Sequence, residues 1–433
     1  MKRAIPRYGV RHVSGSVEPA FTAFKQGRGV QGPEIRLFEE RFAAYHGTPD
    51  AVTASYGRMA FYYILRALAL PPRSEVIFPA LTFWVIPEMA RSCGLRPVFV
   101  DIDPLTFNMD PEKIKAVLTP RTRAIVPTHL YGQPCDMTRI MSAARKHNLI
   151  VIEDCAHALG ATYNGARTGT FGDAAFFSFQ MLKGLNAYGG GMAITNDAGL
   201  AGKIRAEAES EPWPTALEVK KRLLSGQVVR ALISRTGFTF GLFIPFYVSS
   251  FWRHHDVNQF LWEKTRPLNP LPQSYRQRFS NAQAIIGLRG LEGLDAFNAR
   301  SRANAEHLTK GLAGLQSIIT PAVIPGAVST FYQYCIHASD AARLGRLAIR
   351  KGIDIEIMHV DICSELPLFT EYARSCPNAE RTKNTLQLPV YSSLDPSELD
   401  RILEVILKAA TNLPAIPARI SAHPTLSPRE RVG

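Results

Sequence analysis

Residues 149–191 read LIVIEDCAHALGATYNGARTGTFGDAAFFSFQMLKGLNAYGGG. Leu149 to Ile152 are apolar without alternation and run into two acids, Glu153 and Asp154. A continuous apolar run of this length suits a strand covered on both faces, the kind found in parallel sheets sandwiched between helices. A second run, AAFFSF at 174–179, ends just before Lys183 and the turn Gly189-Gly190-Gly191. Asp154 therefore stands where a buried strand meets its carboxyl-end loop, the end at which open α/β sheets hold ligands.

Working outward, short β-branched or aromatic runs recur on both sides. SEVIFPA, LRPVFVDID and RAIVPTHLYG precede the central stretch. Helix-like spacers such as PEKIKAVL and MTRIMSAARKHN separate them. Strands alternating with helices predict right-handed crossovers and a mostly parallel sheet. EIRLFEERFAAYHG reads as an amphipathic helix stopped at Gly47, and MAFYYILRALAL as a helix ending before Pro71-Pro72. After residue 278 the pattern resumes. A long helical stretch runs from Phe279, FYQYCIHA, IDIEIMHV and LQLPVY read as strands, and DPSELDRILEVILKAA closes as a helix. The expected division is an N-terminal arm at 1–27, a large α/β domain at 28–212, an insertion at 213–277, a smaller domain at 278–412, and a disordered Pro-containing tail at 413–433.

The 433 residues are 46% hydrophobic and 20% charged, ordinary globular usage that excludes a mainly disordered chain. Lys and Arg exceed Asp and Glu by 13, which suits acidic partners without selecting one. Ten basic and three acidic residues fall between Trp213 and Arg278, so over half of that excess sits in the insertion. A nucleic-acid partner is not expected, because the same segment carries sixteen uncharged residues, GFTFGLFIPFYVSSFW at 237–252. Six cysteines without CxxC spacing read as reduced thiols, and no metal site is expected. MKRAIPRYGVRHVSG lacks the apolar core of a secretory signal, so a cytoplasmic protein is expected.

Each chemistry-bearing residue has a plain reading beside a functional one. Asp154 either caps the next turn or holds its carboxylate against a cationic ring nitrogen. Lys183, 29 residues on, is either a solvated surface lysine or a nucleophile. Phe176, Phe177, Phe179, Met181 and Leu182 surround it, and desolvation lowers an amine's pKa. Ser178 could offer a hydroxyl to a phosphate. A strand-end Asp, a Lys about thirty residues on and a Ser just before it form the constellation of a pyridoxal phosphate site.

At this point the sequence resembles the DegT/DnrJ/StrS sugar aminotransferases. The blocks carrying the resemblance are GVQGPEIRLFEERFAAYHG, PRSEVIFPALTFWVIPEMARSCGLRPVFVDIDPLTFNMDPEKI, TRAIVPTHLYGQPCDM, VIEDCAHALGATYNGARTGTFGDAAFFSF, SNAQAIIGLRGLEGLDAFNARSRANA and LPVY, in that order. The resemblance covers about residues 28–212 and 278–410. It implies the type I fold of pyridoxal-phosphate enzymes: a mostly parallel seven-stranded sheet flanked by helices, plus a smaller C-terminal α+β domain. It also implies a homodimer and pyridoxal 5'-phosphate carried as an aldimine on Lys183. Asp154 is implied to pair with the pyridinium nitrogen, and His157 to sit beside the phenolic oxygen. Phe83 is implied to stack on the ring, with Trp84 a near competitor. Gly57, Arg58 and Ser178 are implied to hold the phosphate, and Arg276 and Arg278 to reach the partner subunit's phosphate.

The sequence departs from the family pattern in places. The phosphate turn is Tyr56-Gly57-Arg58 instead of Ser-Gly-Thr, and Arg58 could replace a hydroxyl with a bidentate contact. Gly184 follows the lysine where Asn is usual, Tyr188-Gly189-Gly190-Gly191 lacks the usual Glu, and Arg276 replaces an Asn. The catalytic pair is kept while the substrate-facing frame has changed. The implied reaction is transfer of an amino group, from a donor such as glutamate, to a keto-sugar, nucleotide-linked, in polysaccharide or glycoconjugate biosynthesis. A lipid-linked or other non-sugar ketone or aldehyde is the alternative acceptor, and a catalytically silent regulatory or scaffold relative is the alternative class. The insertion has three readings: a buried core or dimer face, a helix pair at a membrane interface through 213–270, or a lid.

Overall fold

In the computed structural model, residues 3–251, 263–357 and 360–417 are described. Most of the expected tail, at 418–433, lies outside them, as does Trp252.

Seven strands form the central sheet. Their order across it is Asp50–Ala54, Gly191–Thr195, Ala174–Ser178, Ile150–Asp154, Thr122–Ile125, Glu75–Pro79, Arg96–Val100. The last five run parallel to one another, while Gly191–Thr195 is antiparallel to both of its neighbours. The type I fold implied by the sequence is the one found. Ile150–Asp154 lies mid-sheet, paired to Ala124 and Ile125 on one side and to Ala174–Phe176 on the other. Both sheet faces are covered, which is why the run LIVI carries no polar alternation. The main core packs Trp84, Phe61, Phe78 and Phe176 together, with the Phe61 and Phe176 rings 4.9 Å apart.

The expected helices are present. Glu34–His46 ends at Gly47, whose φ of 73° is the left-handed stop that glycine adopts without a Cβ penalty. PEKIKAVL forms a 3-10 helix, Pro111–Val117, with the Asp110 carboxylate accepting from Glu112 N–H at 3.0 Å. The long stretch after Phe279 divides at Gly293 into Asn281–Glu292 and Leu294–Leu312. Asn281–Glu292 packs on Glu34–His46 in the large domain.

The smaller sheet has the order Ile318–Ile319, Tyr334–Ala338, Thr385–Leu388, Glu356–Ile357, all antiparallel. Ala341–Arg350 and Pro396–Ala410 cover it. The N-terminal arm docks here too. Ile5 N–H donates to Gly352 O at 2.9 Å, and Arg7 pairs with Asp354 among buried groups.

The insertion forms two helices, Ala216–Leu232 and Arg235–Ser249, bent by 66° at their junction. A capping box on Thr215 starts the first. A π turn at Phe238–Leu242 opens the second just where the Pro245 ring would press on the carbonyl four residues back. Phe243 and Phe246 are buried, as a core reading of this segment expects. Among the described residues no single helix is long and apolar enough to cross a membrane.

Candidate active site

A cavity of about 520 Å³ opens at the carboxyl ends of the central strands. Seven of the nine residues singled out from the sequence line it: Gly57, Arg58, Phe83, Asp154, His157, Ser178 and Lys183. Strand pairing brings Asp154 level with Phe176, so Ser178 lies two residues farther along the neighbouring strand.

Asp154 is buried, and its Oδ1 accepts from Ala156 N–H at 3.0 Å. Burial pushes its pKa up to about 6, partly offset by that hydrogen bond and by the charge of Lys183. Lys183 is pulled the other way. Burial lowers its amine to about 8 against the attraction of Asp154, and Arg58 lowers it further. The desolvation expected from the aromatic run is therefore present. Glu153, one residue before Asp154, points away. It accepts from the N–H groups of Gly169, Phe171 and Gly172 and bonds His129 Nε2 at 2.9 Å. His129 Nδ1 accepts from Cys135 N–H at 3.0 Å, so the ring proton sits on Nε2 and the pair is neutral-donor to carboxylate. Cys155 lies close by, but the Glu153 and His129 atoms are already engaged in buried hydrogen bonds.

His157 Nδ1 accepts from Tyr131 N–H at 3.4 Å, and the ring lies 4.6 Å from that of Tyr332. Phe83 presents a ring that is 37% exposed, whereas Trp84 is buried beneath it with Nε1 unpartnered. That contrast favours Phe83 over Trp84 as a stacking surface.

The Tyr56-Gly57-Arg58 turn opens a helix at the cavity wall. Helix Gly57–Leu68 starts without a side-chain cap from Tyr56, so its dipole end faces the cavity. A Cβ on Gly57 would meet Phe177 O and Ser178 Cβ at 2.9 Å each, so only glycine lets the turn sit against the strand. Arg58 does not wait free beside it. Its guanidinium makes a bidentate pair with Glu263, at 3.0 and 2.9 Å, and lies over the Phe83 ring at 5.5 Å. The Tyr275 hydroxyl also bonds Glu263, at 2.8 Å.

Arg276 and Arg278 stand outside this cavity. Arg276 pairs with Glu211 at 3.2 Å, and Arg278 lies over Trp213 at 4.3 Å. Several contributors escaped the sequence reading, Tyr332, Glu263 and Arg11 among them. Tyr332 carries Lys183 Nζ 5.2 Å from its ring centroid; it hid inside a run read only as a strand. Glu263 lies in the insertion, where charge balance drew attention to the bases. Arg11, in the N-terminal arm, donates to Gly184 O at 3.4 Å across 173 residues, a contact with no local signal.

A sequence profile of the DegT/DnrJ/EryC1/StrS aminotransferase family matches residues 17–407. The chain belongs to this family. As a member of the DegT/DnrJ/EryC1/StrS family it is an aminotransferase, and the family implies pyridoxal phosphate as its cofactor. It is 32% identical over 382 residues to the GDP-perosamine synthase of Caulobacter vibrioides, covering 87% of this chain and 90% of that one. It is 33% identical over 382 residues to the UDP-N-acetyl-3-dehydro-alpha-D-glucosamine 3-aminotransferase of Acidithiobacillus ferrooxidans, covering 87% and 89%. A solved structure of DesI in the presence of its TDP-sugar product superposes with a TM-score of 0.72 at 27% identity, covering 95% and 94%.

Proposed function

We propose that this aminotransferase moves an amino group, with glutamate as donor, onto a keto-sugar carried on a nucleotide. The observation that carries the reading is the pair of buried Asp154 and half-buried Lys183, which bias each other's charge in one cavity beside the start of helix Gly57–Leu68. The names of the relatives support the acceptor class: a GDP-sugar product in one and a 3-dehydro UDP-sugar in another. The setting this suggests is polysaccharide or glycoconjugate biosynthesis.

The residues present fit pyridoxal phosphate. Gly57 and Ser178 would hold its phosphate, joined by Arg58 on release from Glu263, while Phe83 would face its ring and His157 its phenolic oxygen. When bound, the cofactor supplies an electrophilic carbon and a sink for electrons. Lys183, with its pKa lowered to about 8, keeps a neutral fraction at neutral pH and would be the cofactor's covalent anchor. Its Nζ would also be the group placed to take and return a proton in the loaded site. Asp154, whose pKa of about 6 leaves it mostly ionised at pH 7, favours a protonated ring nitrogen through charge. Tyr332, whose ring centroid lies 5.2 Å from Nζ, shields it on one side.

Arg276 and Arg278, outside their own subunit's cavity, suit the proposal of a homodimer in which they face the partner's site. A cytoplasmic enzyme that touches the inner face of the membrane through 213–270 completes the reading. The test is an acceptor screen. Enzyme charged with the amino form of the cofactor is mixed with nucleotide-linked keto-sugars, free keto-sugars and apolar ketones. Discharge by the nucleotide-linked sugars alone is expected; discharge only by apolar ketones would replace this acceptor class.

A further inference from the structure

The helix pair of the insertion is apolar on two opposite faces. On Ala216–Leu232, Val219, Leu223 and Gly226 are buried against the protein. At 100° per residue the opposite side carries Leu217, Leu224, Val228 and Leu232, all exposed, with Leu217 at 60% and Val228 at 59%. The second helix repeats the arrangement. Phe243 and Phe246 face inward, while Phe240, Ile244 and Val248, and Phe251 just past the helix end, are exposed, Phe240 at 68%. Single exposed apolar residues need no explanation, but a stripe on each of two adjoining helices does.

Basic side chains accompany these stripes. Lys221 falls within the first, between Val228 and Leu232, and Lys220 stands to one side of it with Nζ 5.1 Å from the Phe24 ring centroid. Arg350 lies over the outward Phe251 ring at 4.6 Å. The acid of this helix, Glu218, is taken up by Thr215 and Gln277. By contrast Arg235 is committed to Glu398.

We infer that the outer face of Ala216–Leu232 and Arg235–Ser249 docks on the surface of an anionic phospholipid bilayer. The inference deepens the membrane contact proposed above and rests on its cytoplasmic placement, since anionic lipid faces the cytoplasm. The first helix, of 17 residues, is about 26 Å long at ~1.5 Å per residue, short of the hydrocarbon thickness, and the 66° bend prevents the pair from acting as one rod. The pair lies in the interface and does not cross it. Apolar side chains enter the headgroup boundary while the lysines reach lipid phosphates. A second copy is the poorer occupant. A two-fold contact would set the same lysines against each other, whereas anionic lipid complements them. Val229, itself 41% exposed, lines the cavity, so the docking helix also forms part of the cavity wall.

The experiment is vesicle flotation of the full-length holoenzyme at ~0.1 M salt, with phosphatidylcholine alone or mixed with phosphatidylglycerol. Cofactor absorbance and thermal melting report folding of each variant. The wild type floats with the mixed vesicles only. Lys220→Gln and Lys221→Gln each lower partitioning about fivefold, and Val228→Glu or Phe240→Glu lowers it more than tenfold with the melt unchanged. Wild-type protein that stays soluble with both vesicles overturns the inference. So does binding that ignores these substitutions, or a soluble dimer that Val228→Glu splits, which would assign the face to a second copy. None of these readouts depends on the acceptor, so a failed acceptor screen leaves them intact.

Discussion

Lys183 and Asp154 act on each other through a desolvated space, and each holds the other nearer its charged form than burial alone would allow. The amine captures an aldehyde only when neutral, so capture of pyridoxal phosphate should rise about tenfold per pH unit and level off near pH 8. A stopped-flow pH profile checks this; a rise continuing to pH 10 would mean an unperturbed lysine. Lys183→Ala should abolish turnover while cofactor still binds through the phosphate turn, as equilibrium dialysis against activity would reveal. Asp154→Asn should lower kcat on the order of a hundredfold, as loss of a preorganised charge does, with a smaller change in cofactor affinity. Glu153→Gln, by contrast, disturbs the 169–172 loop and His129, so its effect should appear in thermal stability. Sequence reading could name Asp154 because a strand-end acid beside a buried run is a local pattern. It could not separate Asp154 from Glu153 by environment, since adjacent residues on a strand face opposite ways. Arg58 was legible as a cation at the phosphate turn, but its partner Glu263 lies 205 residues away.

At the scale of elements, the site depends on the contact between the start of helix Gly57–Leu68 and strand Ala174–Ser178. Gly57→Ala forces a Cβ to 2.9 Å from backbone and side chain, and overpacking of this kind costs about 1–3 kcal/mol. The melting temperature should fall, and cofactor should bind more weakly because the turn moves from the strand. A variant with unchanged affinity would show that the phosphate is held elsewhere. Parallel strands were legible because they are continuous apolar runs. Asp50–Ala54 and Gly191–Thr195 were not, since the first is short and the second begins inside a glycine run that reads as a turn. The insertion was legible as unusual, yet its readings were not exclusive: one face is packed, the other open, and Val229 and Glu263 reach the cavity.

Over the whole molecule, the large sheet supplies Asp154, Ser178 and the phosphate turn, the loop before Tyr334–Ala338 supplies Tyr332, and the insertion supplies Glu263. Val360 and Asp361 add a further wall, so stretches far apart in the chain build the cavity together. Six ordered sequence blocks were enough to reach the family and the fold, because most of them encode a strand end, a turn or a helix of the large domain. Contacts joining the domains, such as Arg7 with Asp354 or Arg11 with Asn298, are single pairs far apart in sequence and carry no periodic signal. The central claim is that one cavity holds the cofactor on Lys183. Borohydride reduction of the holoenzyme, followed by proteolysis and mass spectrometry, tests it directly. A pyridoxyl adduct confined to the peptide containing Lys183 is the predicted result. An adduct on another lysine, or none while cofactor absorbance shows the site filled, would contradict it.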